Sequence, residues 1–192
     1  KQLYRLILNS RTYQLSSIPK ADKPEGDVNF SHYPLRRLDA EVLIDALNKI
    51  TGGTENYSSA IPEPFTYIPE SQRSIALQDG SITSSFLELY GRSSRDTGLA
   101  SERNNRPSAD QRLCLLNSSL TQRKIEQSPM IKNLTVAGKE PRDIAIGMYL
   151  EILSRFPTND ELKIVEEYFK LSKAGQREAA VDVAWSLINS AE

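Results

Sequence analysis

Wherever the apolar positions of this chain repeat, they repeat with a helical period. Leu43, Ala46, Leu47 and Ile50 stand at i, i+3, i+4 and i+7, which puts them on one face of a helix. Asp39 is placed to cap that helix, and Gly52-Gly53 supply residues that tolerate a left-handed stop. The chain opens on a similar pattern, with Leu3, Leu6 and Ile7 flanking Tyr4. A shorter helix is predicted over Ile82, Ser85, Phe86 and Leu89, closed by Gly91. Ser108 and Gln111 have the spacing of a capping box, in which a hydroxyl and an amide satisfy backbone donors at a helix start. Ala109, Leu113 and Leu116 mark the expected buried face that follows, with Cys114 alongside. Ser119 and Gln122 repeat the box spacing and open a helix towards Gln127. Ser128-Pro129 interrupts it, because a residue before proline avoids helical backbone.

The last fifty residues carry the strongest pattern. Pro141 suits a first helical turn, and Ile146, Tyr149, Leu150 and Leu153 follow as an apolar stripe. Phe156-Pro157 breaks it, and Thr158 with Glu161 forms the next capping box. Leu162, Val165 and Phe169 share one face, with Ile164 and Tyr168 beside them. Gly175 separates a final helix bearing Ala180, Val183, Ala184, Leu187 and Ile188, with Trp185 at the edge of its apolar face. Short connections between such helices imply antiparallel neighbours. The fold expected is therefore mostly α, an irregular helical domain with long ordered loops and a C-terminal three-helix antiparallel unit. A single domain is expected over 1–192, with helices and long loops in 1–135 and the helical unit in 136–192.

Two stretches depart from the helical period. Residues 16–34 are polar and contain Pro19, Pro24 and Gly26. Residues 53–81 interleave Pro62, Pro64 and Pro69 with Ile61, Phe65, Tyr67 and Ile68. Loops this long are uncommon in a compact domain unless pinned down, so the second is expected to lie extended against the helices. A short strand is expected over 74–78, although no partner strand is evident. Both ends of the chain break off close to periodic segments, which reads as a piece of a longer protein.

Composition narrows the chemistry. The 24 basic and 25 acidic side chains leave a net charge of −1, without the basic excess that binding to nucleic acid or an anionic membrane surface normally uses. The apolar run from Ile144 to Leu150 is interrupted by Gly147 and is far too short to span a bilayer. One cysteine excludes an internal disulfide, a Cys-rich metal site and c-type haem attachment within the chain. One histidine excludes any site that needs two imidazoles. No glycine-rich phosphate loop, zinc spacing or calcium loop occurs. Neither a metal nor another cofactor is therefore expected. His32 lies in a predicted loop without a nucleophile-elbow motif nearby, and reads as a hydrogen-bonded surface residue. Cys114, among leucines, reads as a small core residue. No catalytic residue is assigned. For a polysaccharide-acting enzyme, Asp39, Glu41 and Glu102 would be the acid and base candidates, but spacing singles out no pair.

Arginine placement is the unusual feature. Arg36 and Arg37 precede a helix, while Arg92, Arg95, Arg103 and Arg106 crowd a Gly/Ser/Asn-rich stretch. Guanidinium forks bind carboxylate, sulfate and phosphate bidentately, so Arg36, Arg37, Arg92, Arg95 and Arg103 form a candidate anion-binding set, with an anionic polysaccharide as its ligand. The structural alternative pairs them with Glu41, Asp45, Asp96 and Glu102 in a network that ties the loop down. Equal numbers of acids nearby favour that alternative.

Several runs taken together resemble a known family: LILNSRTYQLSS at 6–17, HYPLRRLDAEVLIDA at 32–46, YGR at 90–92, ER at 102–103, LLN at 115–117 and LSRFPT at 153–158. The chain is similar, over essentially its whole length, to the C-terminal domain of unknown function of planctomycete-type multidomain proteins that also carry planctomycete cytochrome c domains. Relatives often read Cys-x-Cys before the Glu-Arg pair. Leu99 and Ser101 stand there in this chain, so no role for those cysteines carries over. The resemblance implies a multidomain, exported parent of the periplasm or cell envelope, with haem bound elsewhere and the other domains, a cytochrome c among them, as partners. It implies no reaction, and the expected role is that of a non-catalytic accessory or interaction module.

Overall fold

The computed structural model describes residues 1–16, 29, 31–33, 36–61, 67–69, 71–77, 80–93, 100–104, 106–136, 139–173 and 175–190. The chain is mostly helical, and among the described residues the one sheet-like pairing is an isolated antiparallel bridge between Ser58 and Thr83. It divides into two compact units, Lys1–Arg37 and Leu38–Glu192.

The first unit contains α1 (Gln2–Leu8), whose residues are all exposed, Leu3 and Leu6 included. The turn after it is held by Gln14, whose side chain donates to the Leu8 carbonyl at 3.1 Å. Tyr13 and Tyr33 meet edge to face, with ring centres 6.0 Å apart. Most of the polar stretch 16–34 lies outside the described residues.

The second unit has two apolar cores. α2 (Ala40–Thr51) buries Ala40, Ile44 and Leu47 against Phe86 and Leu87 of α3 (Ser85–Leu89), together with Leu77, Ile82 and Tyr90. Phe86 and Tyr90 stack at 4.3 Å. Each fully buried aliphatic side chain, such as Ile44 or Leu87, contributes about 1.5–3 kcal/mol. α4 (Ala109–Asn117), α5 (Ser119–Glu126) and α6 (Pro129–Leu134) lead into the other core. There α7 (Pro141–Leu153), α8 (Asn159–Leu171) and α9 (Gln176–Ile188) pack against one another, joined by Ile125 and Ile131. Ile188 touches both cores. Among the described residues no helix is long and apolar enough to cross a membrane.

Several local expectations are corrected. α7 is covered on a broad side by α6, α8 and α9, so Ile144, Ala145 and Met148 are buried with Tyr149 while Leu150 faces outward. α4 exposes Leu113 and Leu116 and turns Gln111 inward. Gln111 completes the capping box with Ser108 and donates from Nε2 to the Leu89 carbonyl at 2.9 Å. α4 therefore docks through polar contacts as much as apolar ones. The cap of α5 is Ser118 rather than Ser119: its hydroxyl accepts from the backbone of Leu120 and Thr121. Residues Ser74–Ala76 form a 3-10 turn where a strand was expected, because Asp45 of α2 accepts from the backbone N–H of Ser74 at 2.7 Å and of Ile75 at 3.2 Å.

Candidate functional site

The best-organised polar cluster gathers where α2 begins. Asp39 is the N-cap of α2 but makes no side-chain capping bond, so Glu41 enters the unit on the first turn. Its side chain is essentially inaccessible to water. Burial alone raises a carboxyl group, yet hydrogen bonding from Arg103 and the charges of Arg103 and Arg92 outweigh it and hold Glu41 below the ordinary range. Arg103 grips the carboxylate as a fork, with Nη1 donating to Oε2 at 2.7 Å and Nη2 to Oε1 at 3.0 Å. Hydrogen bonding to Glu41 in turn raises Arg103. Asp39 Oδ1 lies 3.7 Å from the same guanidinium. The Arg92 side chain is nearly as buried as that of Glu41; its Nε sits 3.8 Å from Glu41 Oε1, and its Nη1 donates to the Ile82 carbonyl.

Gly91 makes this convergence possible. It follows α3 with φ +77°, and a Cβ built there would stand 2.1 Å from the carbonyl oxygen of Asn104. Asn104 donates its own N–H back to the Gly91 carbonyl at 3.2 Å. The segment carrying Arg103 is thus laid directly on the end of α3, and only a residue without a side chain permits that approach. Ser93 closes the loop by donating to Glu102 Oε2 at 2.8 Å, while Tyr90 donates its hydroxyl to the Gln111 carbonyl at 2.6 Å. The short runs at 90–92 and 102–103 that resembled the family therefore meet in one place.

The arginines of the candidate set are distributed as follows. Arg92 and Arg103 come together on Glu41. Arg36 and Arg37 belong to the first unit, where Arg36 lines a cavity of about 360 Å³ with Tyr13, His32 and Tyr33. Arg95, with the acid Asp96 and with Leu99, lies outside the described residues. Asp45 serves the Ser74–Ala76 turn and the exposed Arg73, at 3.3 Å, rather than an arginine of the set. His32 is half-buried, with Nδ1 3.3 Å from the Ser31 hydroxyl. Cys114 is half-buried at the edge of the α2–α3 core, and burial pushes its thiol up, away from the reactive thiolate.

Some polar residues gave no signal in sequence. Tyr57 shares a 2.5 Å hydrogen bond with Ser74, and Lys124 reaches across from α5 to Asn48 at 2.8 Å, the Thr54 carbonyl at 2.6 Å and Glu55 at 3.5 Å. These contacts span up to 76 residues and follow no periodicity. Among the described residues no group of three His, Cys, Asp or Glu side chains is placed to hold a metal ion. Chemically the Glu41 cluster is a closed clamp: one carboxylate between two guanidinium groups, with its better-aligned partner fully engaged.

No curated protein and no solved structure matches the chain. A family model matches residues 1–169, from α1 through all but the last two residues of α8, and by that match the chain belongs to PSD1, a protein family of unknown function (DUF1553).

Proposed function

We propose that this chain is a non-catalytic interaction module of a larger, exported protein of the periplasm or cell envelope that carries cytochrome c elsewhere. The observation that carries the reading is the enclosure of Glu41. The buried carboxylate of the second unit's arginine cluster is locked by Arg103 and backed by Arg92, so it serves as a strut between the start of α2 and the segment after α3. A general acid or base needs an open face towards a substrate, and this carboxylate is occupied on both oxygens. The resemblance to cytochrome-c-bearing parents supplies the partner class, the neighbouring domains of the same polypeptide.

The test has two arms. Titration calorimetry of the purified chain against the parent's cytochrome c domain is expected to register binding. A panel of neutral and anionic polysaccharides incubated with the chain is expected to remain intact. Hydrolysis of any member that disappears in Glu102→Gln would replace the module with a polysaccharide-acting enzyme, since Glu102 is a half-buried carboxylate outside the clamp.

A further inference from the structure

We infer that the exposed face of α8 is a self-association surface, on which two copies of this chain pair through antiparallel α8 helices. The inference is independent of the accessory-module reading. α8 buries Leu162 and Val165 but leaves Ile164 68% exposed, Leu171 72% and Tyr168 39%. These three stand at i, i+4 and i+7, so they form one apolar stripe along the outer side of the helix. Phe156, just before the helix, is 71% exposed. Tyr168 is held in place by donating its hydroxyl to Asp182 of α9 at 2.5 Å.

The charges beside the stripe select the occupant. One flank carries Asp160, Lys163, Glu167 and Lys170, all exposed and alternating in sign along the helix. In an antiparallel pair related by a two-fold axis, the same flank of each helix faces its counterpart. With the axis passing beside residue 165, Asp160 of one copy lies opposite Lys170 of the other, and Lys163 lies opposite Glu167. All four inter-copy pairs are then attractive. A parallel two-fold pair would instead turn this flank towards the opposite side of the partner's stripe, where Glu161 stands, so neither the Asp160–Lys170 nor the Lys163–Glu167 pairs would form. The same register brings Ile164 of one copy between Ile164 and Tyr168 of the other, each about 3 Å from it along the axis at 1.5 Å per residue. It also sets Leu171 beside Asp160 and Phe156. The apolar stripe and the charged flank therefore choose the same pairing. At present Lys163 meets Asp160 of its own helix at 3.4 Å, an exposed contact that pairing would exchange at little cost.

One pair of 13-residue helices buries less than the roughly 1,200 Å² of a standard stable interface, so the dimer is weak and concentration-dependent. Sedimentation velocity of the 192-residue chain, from about 10 µM to 1 mM, is the measurement. A reversible monomer–dimer equilibrium is expected, weakened at least about tenfold by Ile164→Asp or Leu171→Asp. Both side chains are exposed, so circular dichroism should register an unchanged fold. Lys163→Glu and Glu167→Lys are each expected to weaken the dimer, and the double variant to restore it. A chain that stays monomeric throughout the range would overturn the inference and assign the face to another occupant. A dimer indifferent to the charge reversals would overturn it as well.

Discussion

Among the described residues, two carboxylate–arginine forks share one geometry and differ in almost every other respect. Arg103 grips Glu41 at 2.7 and 3.0 Å, and Arg155 grips Glu161 at 2.9 and 2.7 Å. The first joins residues 62 positions apart and excludes water from its carboxylate; the second joins residues six apart and stands 28–32% exposed on both sides. Glu161 also accepts from the Thr158 backbone as half of a capping box, and the Arg155 guanidinium lies 5.2 Å from the centre of the Tyr149 ring. The local fork decorates a corner that already exists: Ser154 turns at φ +56° and α8 starts at its own cap. The distant fork creates a corner, since few apolar residues fall among the described positions between Gly91 and Ser108. Equal geometry thus conceals unequal energy, because the dielectric around the pair and the desolvation of its members set what breaking it costs.

Removing the buried carboxylate tests this most severely. Glu41→Ala leaves two guanidinium groups around a void, and urea denaturation is expected to register a loss of about 3–5 kcal/mol. A loss below about 1 kcal/mol would place the clamp in the class of surface pairs and erase the distinction. Gly91→Ala attacks the same clamp through the backbone. It combines a left-handed residue with a carbonyl oxygen 2.1 Å from the new Cβ, and the expected cost is about 1–3 kcal/mol or more. Paired with Glu41→Ala it should be markedly non-additive, since both changes release the Arg103 segment.

The exposed fork should respond on a smaller scale. Arg155→Ala is expected to cost about 0.5–1 kcal/mol, combining a surface ion pair with a cation–ring contact. Raising the salt to about 1 M should shrink most of that difference while leaving the Glu41→Ala difference nearly intact, because screening acts on solvated charges. Acid sharpens the contrast further. Hydrogen bonding from Arg155, and to a lesser degree from Thr158, outweighs the opposing effect of burial and holds Glu161 down at about 2. An unfolded Glu titrates near 4.3, so the stabilisation is complete above that pH and is lost as the pH falls towards 2. Glu161→Gln should flatten the stability profile across that window alone.

The two forks also explain which parts of the protein were legible in advance. Thr158 and Glu161 announced α8 through their spacing, and Ser108 with Gln111 announced α4, because both bonds of a capping box form within four residues. The buried faces were less legible. The stripe assigned to α7 was rotated, since a helix covered by three neighbours buries more than one stripe and leaves no single period to find. On α4, Leu113 and Leu116 suggested an inward face, but Gln111 turned inward, because carbonyl oxygens at the end of α3 needed a donor and the amide supplied one. The acids beside the arginines were foreseen as clamp partners, and Glu41 does take Arg92 and Arg103. Asp45 instead went to the backbone of Ser74 and Ile75, a choice no spacing encodes.

By itself, then, the sequence determined most of the helices, their breaks at Ser128-Pro129 and Phe156-Pro157, and the capping boxes at Ser108–Gln111 and Thr158–Glu161, because those depend on backbone preferences and on contacts a few residues long. The tertiary structure alone decided which carboxylate would be enclosed and by which arginines. That outcome required the 62-residue closure between Glu41 and Arg103 and a glycine at position 91 that lets the chain lie against the end of α3. Charge attraction is indifferent to sequence order, and only the packed backbone turns several nearby acids and bases into one chosen pair.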